Sequence, residues 1–286
     1  MKIYLVGGAV RDLLMGIHSS DLDYVVVSSS VDEMLSLGYI PVGKDFPVFL
    51  HPITKHEYAL ARTERKISQG YQGFNFYTDK NISLEQDLSR RDLTINAMAL
   101  PLDNSHNPLS LDYLIDPFNG KQDLNSKLLH HVSPAFSEDP VRILRIARFS
   151  ARYNFSIAND TLHLMQNMVA DGEVNALVAE RIWQEINKGL AEKYPYNLFK
   201  VLHNCGALHI ILPDFIHQFN EHINFLDQLS KELINNQNNI NKLNLSSELI
   251  FLCMLLHIAN LQKSIQKTDI TKICSSLKLS RELIDI

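Results

Sequence analysis

The sequence predicts an α+β protein in which a mixed strand-and-helix portion is followed by a portion that is helical almost throughout. Up to about residue 130, short β-branched and aromatic runs alternate with short helical patterns and are punctuated by glycine and proline. After residue 138, apolar residues recur at three- and four-residue spacing in one segment after another. No internal repeat is present.

Taken in order, residues 2–6 read as a strand that ends in Gly7-Gly8, and residues 10–15 as a short helix. Residues 23–27 (DYVVV) are β-branched and aromatic, which favours a strand. A helix over 31–37 is closed by Gly38. Residues 48–51 and 57–62 read as two strands joined by a turn over 52–55, residues 67–80 as a mobile loop, and residues 84–99 as one helix. Beyond 138, helices are expected over 139–153, 161–170, 179–191, 196–205, 247–259 and 269–277, with an Asn-rich loop over 235–241.

Composition narrows the class. A hydrophobic content of 45% with 21% charged residues fits a globular protein, and no run of about 18 apolar residues suggests a membrane span. The start MKIYLVGG lacks the pattern of a secretory signal. Cys205, Cys253 and Cys274 have no C-x-x-C spacing, so neither a disulfide framework nor a zinc site is expected, and a cytoplasmic location is the plain reading. The net charge of −5 argues against indiscriminate binding of polyanions. It leaves room for a local basic cleft, because Arg62, Arg65 and Lys66 cluster, as do Arg90 and Arg91, and Arg142, Arg145, Arg148 and Arg152.

Five stretches carry the chemistry. In GGAVRDLLMGIHSSDLDYVVV, Asp21 and Asp23 stand two residues apart at the start of a strand and so share a face. Two carboxylates this close repel unless a cation lies between them, and hard oxygen ligands suit Mg²⁺. Gly7-Gly8 clears side chains from a place where backbone can approach a phosphate, and Arg11 offers a forked donor. An exposed D-x-D at a strand end is also common without a metal. In RRDLTINAMA, Arg90 and Arg91 beside Asp92 read as a salt-bridged helix turn. DPFNG reads as a structural turn, with Asp116 and Asn119 suited to bonding backbone. In EDPVRILRIARFSARY, Asp139 and Arg142 are spaced i, i+3 at a helix start, where an acceptor and a donor side by side could read the edge of a base. The alternative there is an ordinary salt-bridged surface helix. In AERIWQEINKGL, Glu180, Arg181 and Glu185 with Trp183 suggest a helix that pairs with the previous one.

These five stretches, in this order, resemble the bacterial class II tRNA nucleotidyltransferases, the CCA-adding enzymes and their poly(A) polymerase relatives. The resemblance is good over about residues 1–215 and weak beyond. It implies a nucleotidyltransferase (polymerase-beta-like) mixed-sheet head over 1–137, a helical neck over 138–215 for nucleotide selection and RNA binding, and a helical body over 216–286. It implies Asp21 and Asp23 as catalytic Mg²⁺ ligands. It implies Gly8, Arg11, Arg91, Arg145 and Arg148 as contacts to the nucleoside triphosphate, and Asp139 with Arg142 as the pair that selects CTP or ATP. The expected partners are the tRNA 3′ end and the two nucleotides, with no membrane and no DNA. Glu57 and Glu64 are candidates for a third carboxylate.

The C-terminal portion departs from the pattern. Some relatives carry an HD-type phosphohydrolase domain with a His-Asp metal pair, whereas here His257 is followed by Ile258. The expectation is a helical remnant without a hydrolase site, with His222 upstream in a helix. Two alternatives to full CCA addition stand: a poly(A) polymerase or partial CC- or A-adding enzyme, and a non-catalytic RNA-binding module. Intact Asp21 and Asp23 argue against the last.

Overall fold

In the computed structural model, the residues described are 1–19, 21–42, 48–66, 74–103, 106–216, 219–236 and 247–262. The chain divides into two compact units, residues 1–139 and 140–286.

The first unit is built on a six-stranded mixed sheet. Its strands are β1 (Lys2–Val6), β2 (Asp23–Val27), β3 (Ile40–Val42), β4 (Val48–Leu50), β5 (Glu57–Leu60) and, after a separate ribbon of β6 (Arg62–Lys66) with β7 (Phe74–Thr78), β8 (Ala99–Pro101). The order across the sheet is β3-β4-β5-β2-β1-β8. β1 runs antiparallel to β2 and β8, while β2 and β5 are parallel with Asp23 opposite Glu57. Side chains alternate between faces. Tyr24 and Val26 therefore join one core with Val10, Met34, Phe49, Tyr58 and Met98, and Val25 and Val27 join another with Ala61, Leu88 and Ala97. Burial on both faces is why β2 reads as an uninterrupted apolar run. Helices α1 (Gly8–Leu14), α2 (Val31–Ser36), α3 (Leu84–Ser89) and α4 (Gly120–Asn125) complete the unit, with a two-residue strand, β9 (Leu128–Leu129).

Two expectations need correction here. The mobile loop over 67–80 contains a strand: residues 74–78 pair antiparallel with 62–66, Phe74 opposite Lys66 and Thr78 opposite Arg62. Its aromatic residues favour an extended chain, and residues 67–73 lie outside the described residues. The single helix over 84–99 is in fact α3, a short 3₁₀ turn at Thr94–Asn96, and β8. Ser83 opens α3 with a reciprocal capping box to Gln86. The helix ends at Arg90, and Leu93 is extended because the Asp92 carboxylate accepts the Leu93 N–H. Residues 99–101 are then claimed by the ladder with β1.

The second unit is helical over most of its described residues. It comprises α5 (Val141–Tyr153), α6 (Asn159–Ala170), α7 (Ala179–Leu190), α8 (Pro195–Asn204), α9 (Ala207–Ile211), α10 (Phe219–Asn236) and α11 (Ser247–Gln262), with a two-residue strand, β10 (Ser156–Ile157). α5 packs against α7 and α8 through a face that includes Ile143, Leu144, Ile146 and Ala147. Its C-terminus is closed by Asn154 in the left-handed region at φ 55°. Trp183 of α7 lies 5.2 Å from the Phe251 ring of α11, and Phe215 stacks with Phe199 at 5.5 Å. The expected helix over 269–277 and most of the Asn-rich loop lie outside the described residues. Among the described residues no helix is long and apolar enough to cross a membrane.

Candidate active site

The site in the first unit forms where β1 ends and β2 and β5 begin. Asp23 is the first residue of β2 and Glu57 the first of β5, in register in a parallel pair. Neighbouring strands are about 4.8 Å apart, so the two carboxylates rise side by side from the sheet. Asp21 precedes Asp23 by two residues. All three are exposed to solvent. Protein atoms around the Asp23 carboxyl desolvate it and raise it above the usual carboxylate range. Asp21 and Glu57 push it further in the same direction, and Arg91 opposes them. One arginine against three carboxylates leaves a surplus of negative charge, which a divalent cation would satisfy. Glu57 is the one of the two candidate third carboxylates that the register places beside Asp23, whereas nothing is described of the Glu64 side chain.

Beside this edge is the glycine turn. Gly7 has φ 69°, and its N–H donates to the Met98 carbonyl at 3.3 Å. Glycine is favoured by the backbone angle, and a Cβ on Gly7 would stand 2.9 Å from Arg91 Nη1, so the tip of that side chain would have to shift. Gly8 follows as the first residue of α1, and no side chain caps that helix. Arg11 is buried beneath the turn. Its Nε and Nη2 donate to Asp12 Oδ1 at 2.9 and 2.8 Å, and its Nη1 donates to Asn96 Oδ1 at 2.5 Å. Arg11 thus reaches the turn from behind: a Cβ on Gly8 would lie 3.3 Å from Nη2.

The RRDLTIN segment has the ion pairs of a salt-bridged helix turn, with a partner one turn earlier: Arg90 and Arg91 bond Asp87 at 2.9 and 3.4 Å. Asp92 accepts from Leu93 N–H and from Asn96 Nδ2 at 2.8 and 3.0 Å. Asn96 thereby joins Arg11 to Asp92, and its backbone carbonyl accepts from Arg91 Nη1 at 3.4 Å. Neither Asp87 nor Asn96 was singled out from the sequence. The signal for Asp87 was its spacing of three and four residues from the two arginines on a helix. Asn96 carried no such signal. In the DPFNG turn Asp116 behaves as expected, accepting the N–H groups of Gly120 and Lys121 at 2.7 and 2.9 Å, whereas Asn119 precedes α4 in the left-handed region and its side chain does not cap that helix. Thr94 is held in turn by Asp123, through a 2.7 Å hydrogen bond.

The remaining candidates lie along 139–148. Asp139 is extended (φ −122°, ψ 106°) just before α5 and partly exposed, and Arg142 is buried in the first turn. Arg145 and Arg148 follow on the same helix, both over the Phe149 ring, at 5.7 and 4.8 Å. Arg148 Nε donates to Glu185 Oε2 at 2.6 Å, which ties α5 to α7 and gives the Glu185 carboxylate a defined task.

A mixed sheet with acidic residues at one edge beside a glycine turn, followed by helices, is the architecture of a nucleotidyltransferase head and its helical extension. The model of the poly A polymerase head domain matches residues 3–130, and that of the probable RNA and SrmB-binding site of polymerase A matches 154–219. A multifunctional CCA protein of Neisseria gonorrhoeae is 59% identical over 214 residues, which are 75% of this chain and 50% of that protein. One from Dechloromonas aromatica is 60% identical over 215 residues, again 75% of this chain and 50% of the relative. The chain therefore spans about half the length of the curated relatives it matches. The solved Thermotoga maritima CCA-adding enzyme complexed with tRNA superposes with a TM-score of 0.70 at 25% identity, over 99% of this chain and 64% of that one. A solved tRNA-processing enzyme gives 0.75 at 26%, over 99% and 76%. The chain belongs to the poly(A) polymerase superfamily of nucleotidyltransferases, together with the bacterial CCA-adding enzymes.

Proposed function

We propose that this chain carries the nucleotidyl-transfer activity that adds C, C and A to the 3′ end of tRNA from CTP and ATP, with release of pyrophosphate and dependence on Mg²⁺. The observation that carries this reading is the acidic edge of Asp21, Asp23 and Glu57 beside the Gly7-Gly8 turn and Arg91. The relatives named as CCA proteins and CCA-adding enzymes support it.

In this reading Asp21 and Asp23 hold Mg²⁺, with Glu57 as the third carboxylate. Bound there, the metal would lower the pKa of the tRNA 3′-hydroxyl and stabilise the charge leaving on pyrophosphate. Gly8 lets the backbone approach the triphosphate, Arg91 pairs with it directly, and Arg11 adds positive charge from below the turn. Along α5, Arg145 and Arg148 add donors for the triphosphate, with Arg148 held still by Glu185. Asp139 and Arg142 choose the base. α10 and α11 contribute helical support and no hydrolase chemistry.

The test is purified protein with Mg²⁺ and tRNA lacking its 3′ end, given CTP alone, ATP alone, or both. Two C residues with CTP and a completed CCA with both is the expected outcome. Long A tracts with ATP would identify a poly(A) polymerase, and arrest after CC or failure before it a partial enzyme. RNA binding without incorporation would make the chain a binding module.

A further inference from the structure

Asp87 is a fully buried carboxylate that the proposed chemistry leaves unused. It lies on α3 and gathers three partners. Oδ1 accepts the backbone N–H of Arg62, at the start of β6, at 3.3 Å, and Nε and Nη2 of Arg90 at 3.2 and 2.9 Å. Oδ2 accepts Nη2 of Arg91 at 3.4 Å. Burial alone would push this carboxyl up. The charges of Arg90 and Arg91, with the hydrogen bonds from Arg90 and the Arg62 backbone, more than offset that and hold it below the usual carboxylate range.

Arg91 is the arginine at the glycine turn, and among the described residues two hydrogen bonds hold its guanidinium. Nη2 rests on Asp87, Nη1 rests on the Asn96 carbonyl at 3.4 Å, and Nε is buried with no partner among the described residues. A long side chain with several rotatable bonds is aimed by such contacts. Asp87 supplies the charged one of the two.

We propose that Asp87 is a positioning residue: through Oδ2 it aims the Arg91 guanidinium at the Gly7 turn, and through Oδ1 it fixes the start of β6 in the same framework. The role rests on the nucleotidyl-transfer reading, in which Arg91 meets the triphosphate. It differs from a merely structural salt bridge in acting through one named side chain.

The experiment is a double-mutant cycle of Asp87→Asn and Arg91→Ala, read by equilibrium binding of CTP and of ATP with Mg²⁺ and by KM and kcat for incorporation. Asn keeps an oxygen for the Arg62 N–H and nearly the same volume; it removes the charge and replaces the oxygen that accepts from Arg91 with an NH2 donor. Asp87→Asn is expected to weaken both nucleotides about tenfold, through KM far more than kcat, the scale of one charge-assisted hydrogen bond. The double variant is expected to be no weaker than Arg91→Ala alone, because nothing remains to aim. Additive losses, or unchanged nucleotide binding in Asp87→Asn, overturn the proposal. Should Asp87→Asn fail to fold, Arg90→Gln carries the test. It leaves Asp87 to Arg91, so nucleotide binding holds or tightens, and a loss as large as that of Arg91→Ala overturns the aiming role. A wild-type chain that binds both nucleotides without incorporating them contradicts the proposed function, while the binding arms still decide the role of Asp87.

Discussion

Asp23 concentrates the cost and the use of the site in one side chain. Its carboxyl is destabilised as an anion by desolvation and by Asp21 and Glu57, and only Arg91 opposes this. Asp23→Asn removes one of the mutually repelling charges. It should therefore abolish incorporation while leaving the fold intact, and in the absence of metal its midpoint of thermal unfolding should rise slightly, by an amount that solvent screening of an exposed carboxylate keeps small. Mg²⁺ should stabilise the wild type and not the variant. Near wild-type turnover, or equal stabilisation of both by Mg²⁺, would remove Asp23 from the metal site. Asp139 and Arg142 are the other residues where a single substitution decides. Cytosine and adenine each present an amine donor beside a ring-nitrogen acceptor, whereas uracil and guanine present a carbonyl beside a ring N–H. Asp139 can accept from the amine and Arg142 can donate to the ring nitrogen. A hydrogen bond to a charged group is worth roughly 1.5–3 kcal/mol, so two mismatches reject the wrong base by a hundredfold or more. Asp139→Ala is expected to raise misincorporation of UTP or GTP relative to CTP and ATP, measured as kcat/KM for all four triphosphates. A common fall in all four values would return Asp139 to bracing the helix.

Elements show where local pattern stops being enough. The apolar run of β2 and the three- and four-residue spacing of α5 were legible because each element is buried along its length in a period that the sequence repeats. The segment 84–99 was not, because its capping box starts a convincing helix, and beside the local bond from Leu93 N–H to Asp92 what shapes the rest is tertiary: the pairing of residues 99–101 with β1, and Asn96 drawn to Arg11. The β6–β7 ribbon was missed for a related reason, since two glycines between the strands give no periodicity and the pairing itself is the evidence. The DPFNG turn shows the converse, a local signal with a tertiary purpose. A Cβ on Gly120 would stand 2.2 Å from the Thr94 carbonyl oxygen, which is backbone and cannot swing aside. Gly120→Ala must therefore part α4 from the 3₁₀ turn that carries Thr94 and Asn96. A loss of about 1–3 kcal/mol in urea unfolding is expected, the usual scale of overpacking. Arg11 would lose its Asn96 support together with it, so nucleotide affinity should fall as well. Unchanged stability in Gly120→Ala would show that the turn yields freely.

Across the whole molecule, the order of the five stretches was informative where no single stretch sufficed, and it pointed to the family that the comparisons show. Charge did not: a net −5 hides an arrangement in which arginines are individually committed, Arg11 to Asp12, Arg90 and Arg91 to Asp87, and Arg148 to Glu185. That commitment makes each arginine a fixed donor and keeps the overall sign from describing any one surface. The region beyond residue 216 is where sequence and family part, and it supports the last prediction. His222 of α10 is buried, and its ring lies edge-on to that of His257 of α11 at 5.9 Å, so the two helices do bring a pair of imidazoles together. Two imidazoles alone make a poor hydrolytic centre, because a catalytic metal such as zinc typically takes three protein ligands and keeps a further position open for water. His257 stacks on Phe225 at 4.1 Å with an interplanar angle of 8°, an apolar contact that occupies the ring face, and the next residue in sequence is Ile258 where an HD pair would have Asp. The purified chain is therefore expected to release no phosphate from phosphomonoesters with added Ni²⁺, Co²⁺ or Mg²⁺. The measurement is phosphate release over hours at high enzyme concentration, beside the His257→Ala variant as the control for contamination. Turnover in the wild type that vanishes in His257→Ala would show that the paired histidines form a working metal centre. Equal background in both would assign them to the packing between α10 and α11.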